Sequence, residues 1–473
     1  MPLPRSALAL ALAIATTPAL AADNVTVEDL ARRLKALELR LGTAETPSTT
    51  ETTNSVADLD QRLRVIERKL ELQAEADAAR TASTPVVTMG EKGLSVKSAP
   101  PGDFEMKFRG LVQADGRFWF DDSQVPQADT FLLRRVEPTI EGTWGSLIGY
   151  RLTAQLAGDA ATINDAYVDL KFDPRATVRM GKTKTPVGLE RLQSSASTEQ
   201  VENGFPSELA PGRDIGVQLQ GEFPTGGTSY VLGVYNGTPD GRDGLSTNPD
   251  NDFELVGRLF FEPWKNDANA LSGLGFGIAG STGDKEGLGN NYLPRYRTPG
   301  QVQFFGYRSD VVADGEHTRW SPQAYFYHGR FGLLGEYISS YQHLFSPSSG
   351  VEASLDNRAW QLSGGVVLTG EDNSYRGVTR PNHPFTTDGT GWGAFELVAR
   401  YGRLDIDEDA FPLFADPAVA VAGAQSWSLG VNWYLTSNFK LVADYNQTSF
   451  DAAPNGLERE DEKVFLTRAQ FSF

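Results

Sequence analysis

The sequence of 473 residues contains no cysteine and only four histidines. An exported chain without cysteine has no disulfide framework, so its stability must come from packing and from backbone hydrogen bonding. The histidines are scattered and lack the spacing of a metal site. Neither a G-x-S-x-G nucleophile motif nor a P-loop occurs in the chain. These absences point away from an enzyme and away from a bound cofactor or metal.

Long apolar runs are also missing. After residues 7–15, no segment approaches the roughly eighteen apolar residues that a membrane-spanning helix needs, which excludes an α-helical membrane protein. The run at 7–15 follows Arg5 and precedes a small-x-small motif ending at Ala21. This order is typical of a secretory signal peptide over residues 1–21. The net charge of −18 argues against binding to nucleic acid.

Residues 103–120 alternate between apolar or small side chains and mostly polar ones. The apolar row is Phe104, Met106, Phe108, Gly110, Val112, Ala114, Gly116, Phe118 and Phe120. Successive side chains of a strand point to opposite faces, so this segment has one apolar and one polar face. A strand this long is typical of an outer-membrane β-barrel, where lipid covers one face and a watery lumen the other. An amphipathic strand in a soluble sandwich is the alternative.

Similar segments recur to the end of the chain, which closes on Phe473. They lie near 130–144, 147–158, 163–173, 175–183, 213–223, 228–236, 252–262, 272–281, 318–329, 330–341, 356–370, 392–405, 425–436, 437–450 and 463–473. Short and long connections alternate between them, as turns and loops do in such barrels. The pattern predicts an all-β fold, a 16-stranded antiparallel transmembrane β-barrel over 103–473. Residues 301–308 are assigned to a long loop, because an odd strand count would separate the chain ends. The 371–391 connection is unexpectedly long for the short-turn side.

The N-terminal part has a different periodicity. Apolar residues at 27–41 and at 56–70 are spaced three and four apart, which predicts two α-helical coiled-coil blocks within residues 22–77. A helical hairpin packed on its own chain is the alternative. Residues 78–102 are rich in Ala, Thr, Ser, Pro and Gly, and are predicted to be a linker.

Basic residues cluster around the longest early connection, 184–212, which is large enough to fold into the lumen and narrow it. Lys182, Lys184, Arg191 and Arg213 lie in or beside this connection. Elsewhere in the chain, Arg134 and Arg135 lie at the head of the second strand, and these six residues are the candidate anion-path residues. Rings of Arg and Lys favour anions, because their N–H groups replace water around anionic oxygens. The alternative is a set of ordinary solvated rim charges. Counting in steps of two places Arg135 in the lumen beside Glu137, and Arg134 outward or at the rim.

Several motifs resemble the phosphate-selective porin family, of the porin O and porin P type. They are Gly181–Glu190, Pro211–Val217, Leu368–Asp372, Arg400–Asp405 and Gly430–Leu435, in the family's order through 103–473. The resemblance implies a trimer of sixteen-stranded channels lined by arginine and lysine. Arg134-Arg135 resembles its paired arginine at the constriction, and Lys184 resembles its lysine before the third loop. Glu137 and Asn203 depart from the pattern and lower the positive field.

The sequence therefore predicts a homotrimeric porin in the outer membrane of a Gram-negative-type cell, with its coiled coil in the periplasm and its outer face against lipid. The expected permeants are small anions, with phosphate first and polyphosphate and chloride among the others. The alternatives are a general-diffusion or other-solute porin, an outer-membrane tether or adhesin anchored by the coiled coil, and an outer-membrane lipid hydrolase.

Overall fold

The computed structural model describes residues 32, 56–99, 102–121, 123–223, 226–287, 289, 291–454 and 456–473. The chain divides into two compact units, Met1–Thr84 and Pro85–Phe473. The predicted signal peptide and, apart from Arg32, the first coiled-coil block lie outside the described residues. None of the helices within the described residues is long and apolar enough to cross a membrane.

Among the described residues of the first unit, 56–83 form a long helix, α1 (Val56–Ser83). The second predicted coiled-coil block lies in this helix. Its side chains Leu63 and Leu70 are exposed, whereas Ile66 is buried. A helix that leaves leucines of its apolar row in solvent is a candidate for association, but the coiled coil itself stays a prediction.

The second unit contains twenty strands. They are β1 (Val86–Gly90), β2 (Gly93–Lys97), β3 (Phe104–Phe120), β4 (Thr130–Trp144), β5 (Ile148–Gln155), β6 (Thr162–Asp173), β7 (Ala176–Lys184), β8 (Arg213–Phe223), β9 (Thr228–Tyr235), β10 (Glu254–Phe261), β11 (Leu274–Glu286), β12 (Arg295–Arg297), β13 (Gln303–Gly306), β14 (Val312–His328), β15 (Phe331–Ser346), β16 (Val351–Val367), β17 (Ala394–Asp405), β18 (Gly423–Tyr434), β19 (Phe439–Asp451) and β20 (Glu462–Ser472).

Sixteen of these strands, β3–β11 and β14–β20, form a closed antiparallel barrel, which confirms the predicted fold. Each strand pairs with the next, and β20 closes the barrel on β3, with Ala469 opposite Ala114. The alternation in β3 is the one that the sequence predicts. Phe108 and Val112 are exposed on the outside, whereas Gln113 and Asp115 are buried inside.

Two hairpins lie outside this closed set. Strands β12 and β13 pair only with each other, so the assignment of residues 301–308 to a long loop is confirmed. Strands β1 and β2 form a hairpin that adds to the edge of β3. The predicted linker 78–102 therefore begins within α1 and continues as a hairpin. Its turn needs Gly93, which has a φ of 85°.

An apolar core lies inside the barrel. The connection between β7 and β8, residues 185–212, contributes Val187, Phe205 and Leu209. These side chains pack against aromatic side chains of the 287–311 connection, including Tyr296 and Phe304. All five are buried. Because this core fills part of the lumen, only the remaining part can hold water and solutes.

Candidate functional site

The third long connection, residues 185–212, is fixed inside the barrel by hydrogen bonds to the wall. It contains two short helices, α2 (Leu189–Leu192) and α3 (Pro206–Leu209). Glu336 of β15 accepts hydrogen bonds from the backbone N–H groups of Leu189 and Glu190. Further wall side chains donate to backbone carbonyls of this loop: Gln113 to Ser195, Gln470 to Ala196, Lys440 to Thr198 and Asn432 to Glu199. The loop is therefore closed against β3 and the later strands.

A buried carboxylate reinforces this attachment. Glu190 of the loop lies 3.1 Å from Arg400 of β17 and accepts a hydrogen bond from Gln361 of β16 at 3.0 Å. It also accepts from the backbone N–H of Gly204, at 2.8 Å, and from the hydroxyl of Ser207, at 3.4 Å. One side chain thus joins two wall strands to both arms of the loop, which leaves the loop little freedom to move.

The loop is also held from the opposite end of the barrel. The hydroxyl of Tyr375 donates to the carbonyl of Leu189, and Gln193 donates its side-chain N–H to the carbonyl of Tyr375. Tyr375 belongs to the 371–391 connection, whose length was unexpected on the short-turn side. That length is explained by the path of the connection, which reaches the third loop.

A polar cavity of about 440 Å³ lies between the third loop and the wall strands that include β4 and β6. Its basic lining residues are Arg134, Arg135, Lys184, Arg191, Arg213, Arg242, Arg295 and Arg297, and its acidic ones are Glu137, Glu202, Glu208 and Asp243. Basic groups therefore outnumber acidic groups by eight to four. A restricted, partly desolvated space lined in this way attracts anions, because its effective dielectric is lower than that of bulk water.

Five of the six candidate residues named from the sequence line this cavity, and Lys182 does not. Met180 is exposed on the outer face of β7, and Lys182 is two residues further along the same strand. The residue after Lys182, Thr183, is buried on the inner face. Alternation therefore places Lys182 on the outer row.

Arg134 does line the cavity, contrary to the simple alternation count. In the pairing of β4 with β3, Arg135 lies opposite Gln113 and Leu133 lies opposite Ala114, so Arg134 has no partner. This is a β-bulge, in which two residues of one strand face one residue of the other. Because the bulge resets the phase, both arginines reach the lumen. Of the two predicted positions for Arg134, outward or at the rim, the outward one was wrong.

The arginines of the wall differ in how far their charge is compensated. Arg134 forms two hydrogen bonds to Glu202, at 2.6 and 3.1 Å, and Arg213 lies 3.1 Å from Asp165. Arg135 donates to the neutral Gln113 amide at 2.8 Å, and its nearest carboxylate, that of Glu137, is 3.7 Å away. The charge of Arg135 is thus less compensated than the charges of Arg134 and Arg213.

Lys184 is compensated by carbonyl groups. It ends β7, and its ammonium group donates to the carbonyl oxygens of Arg191 and Gln193, at 2.7 and 2.6 Å. It forms no ion pair with a carboxylate of the described residues. Neutral carbonyls orient the ammonium group without placing an opposing charge beside it.

The pKa values of two loop carboxylates in the cavity are shifted in opposite directions. Burial would raise the pKa of Glu202, but Arg134, Arg468 and Arg135 outweigh that effect and hold it well below its usual range. Burial raises the pKa of Glu208 to about 7, against a hydrogen bond from the backbone N–H of Arg297. Glu202 is therefore always charged at neutral pH, whereas Glu208 changes charge there.

Sequence reasoning missed Arg242, Arg295, Arg297 and Glu208. The first three lie in connections far along the chain, and the fold of those connections brings them over the cavity. The only local signal is the Arg-Tyr-Arg alternation of β12, where Tyr296 is buried and both arginines are exposed. Such a pattern indicates a face that points away from a core, but it does not tell which cavity the face meets.

The chain matches a known family over its whole barrel. A sequence profile described as phosphate-selective porin O and P matches residues 104–473. Porin O of Pseudomonas aeruginosa is 24% identical over 85% of this chain and 95% of its own. An uncharacterized protein of Caulobacter vibrioides is also 24% identical, over 74% of this chain and 70% of its own.

Solved outer-membrane proteins share the fold at low identity. The trimer form of OmpT from Vibrio cholerae superposes with a TM-score of 0.50 and 11% identity, covering 78% of this chain and 99% of its own. The channel DcaP of Acinetobacter baumannii superposes with a TM-score of 0.50 and 13% identity, covering 78% and 97%. Because the family profile spans the barrel from its first strand to its last residue, the chain belongs to the phosphate-selective porin O and P family.

Proposed function

We propose that this protein is an outer-membrane porin through which phosphate and related small anions diffuse. The observation that carries the proposal is the excess of basic over acidic side chains in the cavity beside the third loop. The loop is closed against the opposite wall, so a solute in the lumen must pass these basic groups. Family membership supports the same conclusion.

The chemistry of the wall suits oxyanions. Arginine presents a planar set of donors that matches two oxygens of a phosphate or carboxylate, and lysine adds a point charge. Arg135 and Lys184 both line the cavity, and both donate hydrogen bonds to neutral groups. We assign to these two residues the main contact with a passing anion.

The acidic groups in the same cavity favour passage over tight retention. Glu137, Glu202, Glu208 and Asp243 reduce the field that an anion meets. An ion must bind well enough to enter and weakly enough to leave. Chloride, phosphate and polyphosphate are therefore all candidate permeants, with phosphate favoured by its charge.

We also propose a homotrimer with its outer face in lipid and α1 in the periplasm. The exposed leucines of α1 support association between copies. The related fold of the OmpT trimer form supports the same stoichiometry for the barrel. Cross-linking of the full chain in membranes, with positions in 56–83 and in the barrel tested separately, would distinguish a trimer from a monomer whose helix packs on itself.

Single-channel recording tests the channel function. Purified protein in a planar bilayer, in a gradient of potassium chloride, should give a reversal potential of the anion-selective sign. Phosphate added at fixed chloride should reduce the chloride current. A cation-selective reversal potential would overturn the anion channel and leave a general porin. Anion selectivity without competition by phosphate would overturn the phosphate assignment alone.

A further inference from the structure

The carboxylate of Glu202 occupies a pair of arginines on the wall. Its Oε1 lies 2.6 Å from Nε of Arg134 and 2.9 Å from a terminal nitrogen of Arg117, and its Oε2 accepts from Arg134 at 3.1 Å. The two parallel contacts with Arg134 are the fork-to-fork arrangement that a guanidinium also forms with phosphate. The side chain of Glu202 is only 4% exposed. A carboxylate of the protein itself thus occupies arginine donors that could bind another anion.

The loop does not depend on this carboxylate for its position. Arg400 donates to the backbone carbonyl of Glu202 at 2.9 Å, and the N–H of Val201 donates to Asp444 at 2.8 Å. Two residues after Glu202, the N–H of Gly204 donates to Glu190. Backbone contacts on both sides therefore hold the segment, and they do not involve the Glu202 carboxylate.

Arg134 lies where a permeating ion passes. The bulge in β4 directs it into the lumen next to Arg135, and both line the cavity. Glu202 cancels one of the two charges that Arg134 and Arg117 offer. A solute oxyanion must therefore share these arginines with Glu202 or displace it.

We propose that Glu202 is a tethered anion that competes with permeating anions, above all oxyanions, for Arg134 and Arg117 and thereby sets a low affinity in the cavity. This inference rests on the proposed anion path along Arg134 and Arg135. The ligand class of the site without the carboxylate is an oxyanion with two oxygens free for a guanidinium, such as phosphate. Glu202 is then a specificity-determining residue, because its competition lowers the affinity of the cavity for an anion and so lets the anion leave.

The test compares Glu202→Gln with Glu137→Gln in the full-length channel in planar bilayers. Both changes remove one negative charge from the cavity, but Glu137 accepts from Asn164 at 3.0 Å and lies 3.7 Å from Arg135, and it makes no bond to Arg134. Two quantities are measured: the chloride concentration that half-saturates conductance, and the phosphate concentration that halves the chloride current. We expect Glu202→Gln to lower both by about tenfold, or about 1.4 kcal/mol. Glu137→Gln should shift the reversal potential toward anions with a smaller effect on both concentrations.

Two further variants keep the test decisive. Glu202→Asp retains the charge but is too short to reach both arginines, so it should fall between wild type and Glu202→Gln, and it replaces that variant if Glu202→Gln fails to insert. Adding Arg134→Gln to Glu202→Gln should return both concentrations toward wild type. Equal effects of Glu202→Gln and Glu137→Gln would overturn the inference in favour of net charge alone.

The outcome also separates this inference from the phosphate assignment. If Glu202→Gln lowers the half-saturating chloride concentration while phosphate blocks neither channel, the tethered anion stands and the phosphate assignment falls. If phosphate blocks wild type and Glu202→Gln equally, and chloride saturation is unchanged, the assignment stands and the tethered anion falls.

Discussion

The ammonium group of Lys184 lies 2.6 Å from the carbonyl oxygen of Gln193, which is nine residues further along the chain, in the third loop. This bond orients the ammonium group at the start of the loop without placing an opposing charge beside it. The position of the charge is therefore a property of the loop fold, and not only of the strand that ends at Lys184.

Replacing Lys184 with methionine should weaken anion selectivity. The methionine keeps the bulk of the side chain but removes the charge, so we expect the phosphate concentration for half-block of chloride current to rise about tenfold. Lys182→Met is the matched control, because Lys182 lies on the outer row and not in the cavity. Equal loss of selectivity in the two variants would contradict the assignment of Lys184 to the path.

Arg135→Gln should shift the reversal potential toward potassium. Arg135 donates only to the neutral Gln113 amide and lies 3.7 Å from Glu137, so its removal takes away a largely uncompensated charge. Arg175→Gln, which removes an exposed arginine paired with Asp173 at a turn, should leave the reversal potential unchanged. A shift of the same size in both variants would mean that overall charge, and not this cavity, determines selectivity.

Much of the barrel could be predicted from the sequence, because alternation of apolar and polar residues is a local signal. The sixteen strands follow from it, whereas the loop position of 301–308 follows from the need for an even strand count. The inward direction of Arg134 does not, since the bulge is defined only by the register of β4 against β3. A single extra residue reverses the phase on which such a count depends.

The candidate site could be predicted only in part for the same reason. Arg135, Lys184 and Arg213 lie on or beside strands, where local pattern carries information. The partner of Arg134, by contrast, is Glu202, and Arg297 reaches the cavity from another connection. Contacts between distant loops depend on how each loop folds in the lumen, and no periodicity in the chain encodes that.

Glu190→Gln should loosen the third loop. Glu190 and Arg400 form a buried pair at 3.1 Å, and removing one partner of such a pair typically costs about 3–5 kcal/mol. We expect larger single-channel conductance, more current fluctuation and faster proteolysis within 185–212. Glu352→Gln is the control, because Glu352 is exposed at the rim and its contact with His343 is long, at 3.8 Å. Unchanged conductance and proteolysis in Glu190→Gln would show that the backbone contacts alone hold the loop.

Anion selectivity should depend on pH through Glu208. Burial raises the pKa of Glu208 to about 7, so this carboxyl is mostly neutral at pH 6 and mostly charged at pH 8. Ionisation adds a negative charge to the cavity, and the sign of the effect is therefore a fall in chloride-over-potassium preference as pH rises. We expect a change of roughly twofold, the scale of a partly screened charge of about 0.5 kcal/mol. Chloride is the anion to use, because phosphate changes its own charge in this range.

Glu208→Gln is the variant that identifies the titrating group. The glutamine can still accept a hydrogen bond from the backbone N–H of Arg297, which lies 2.9 Å from the carboxylate in the native chain. Between pH 6 and 8 this variant should keep the higher preference that wild type shows at low pH. Glu202 does not titrate in that range, because the neighbouring arginines hold its pKa well below neutrality despite its burial. If the pH dependence of Glu208→Gln matches that of wild type, another group is responsible, and Glu208 is not the pH-sensitive charge of the cavity.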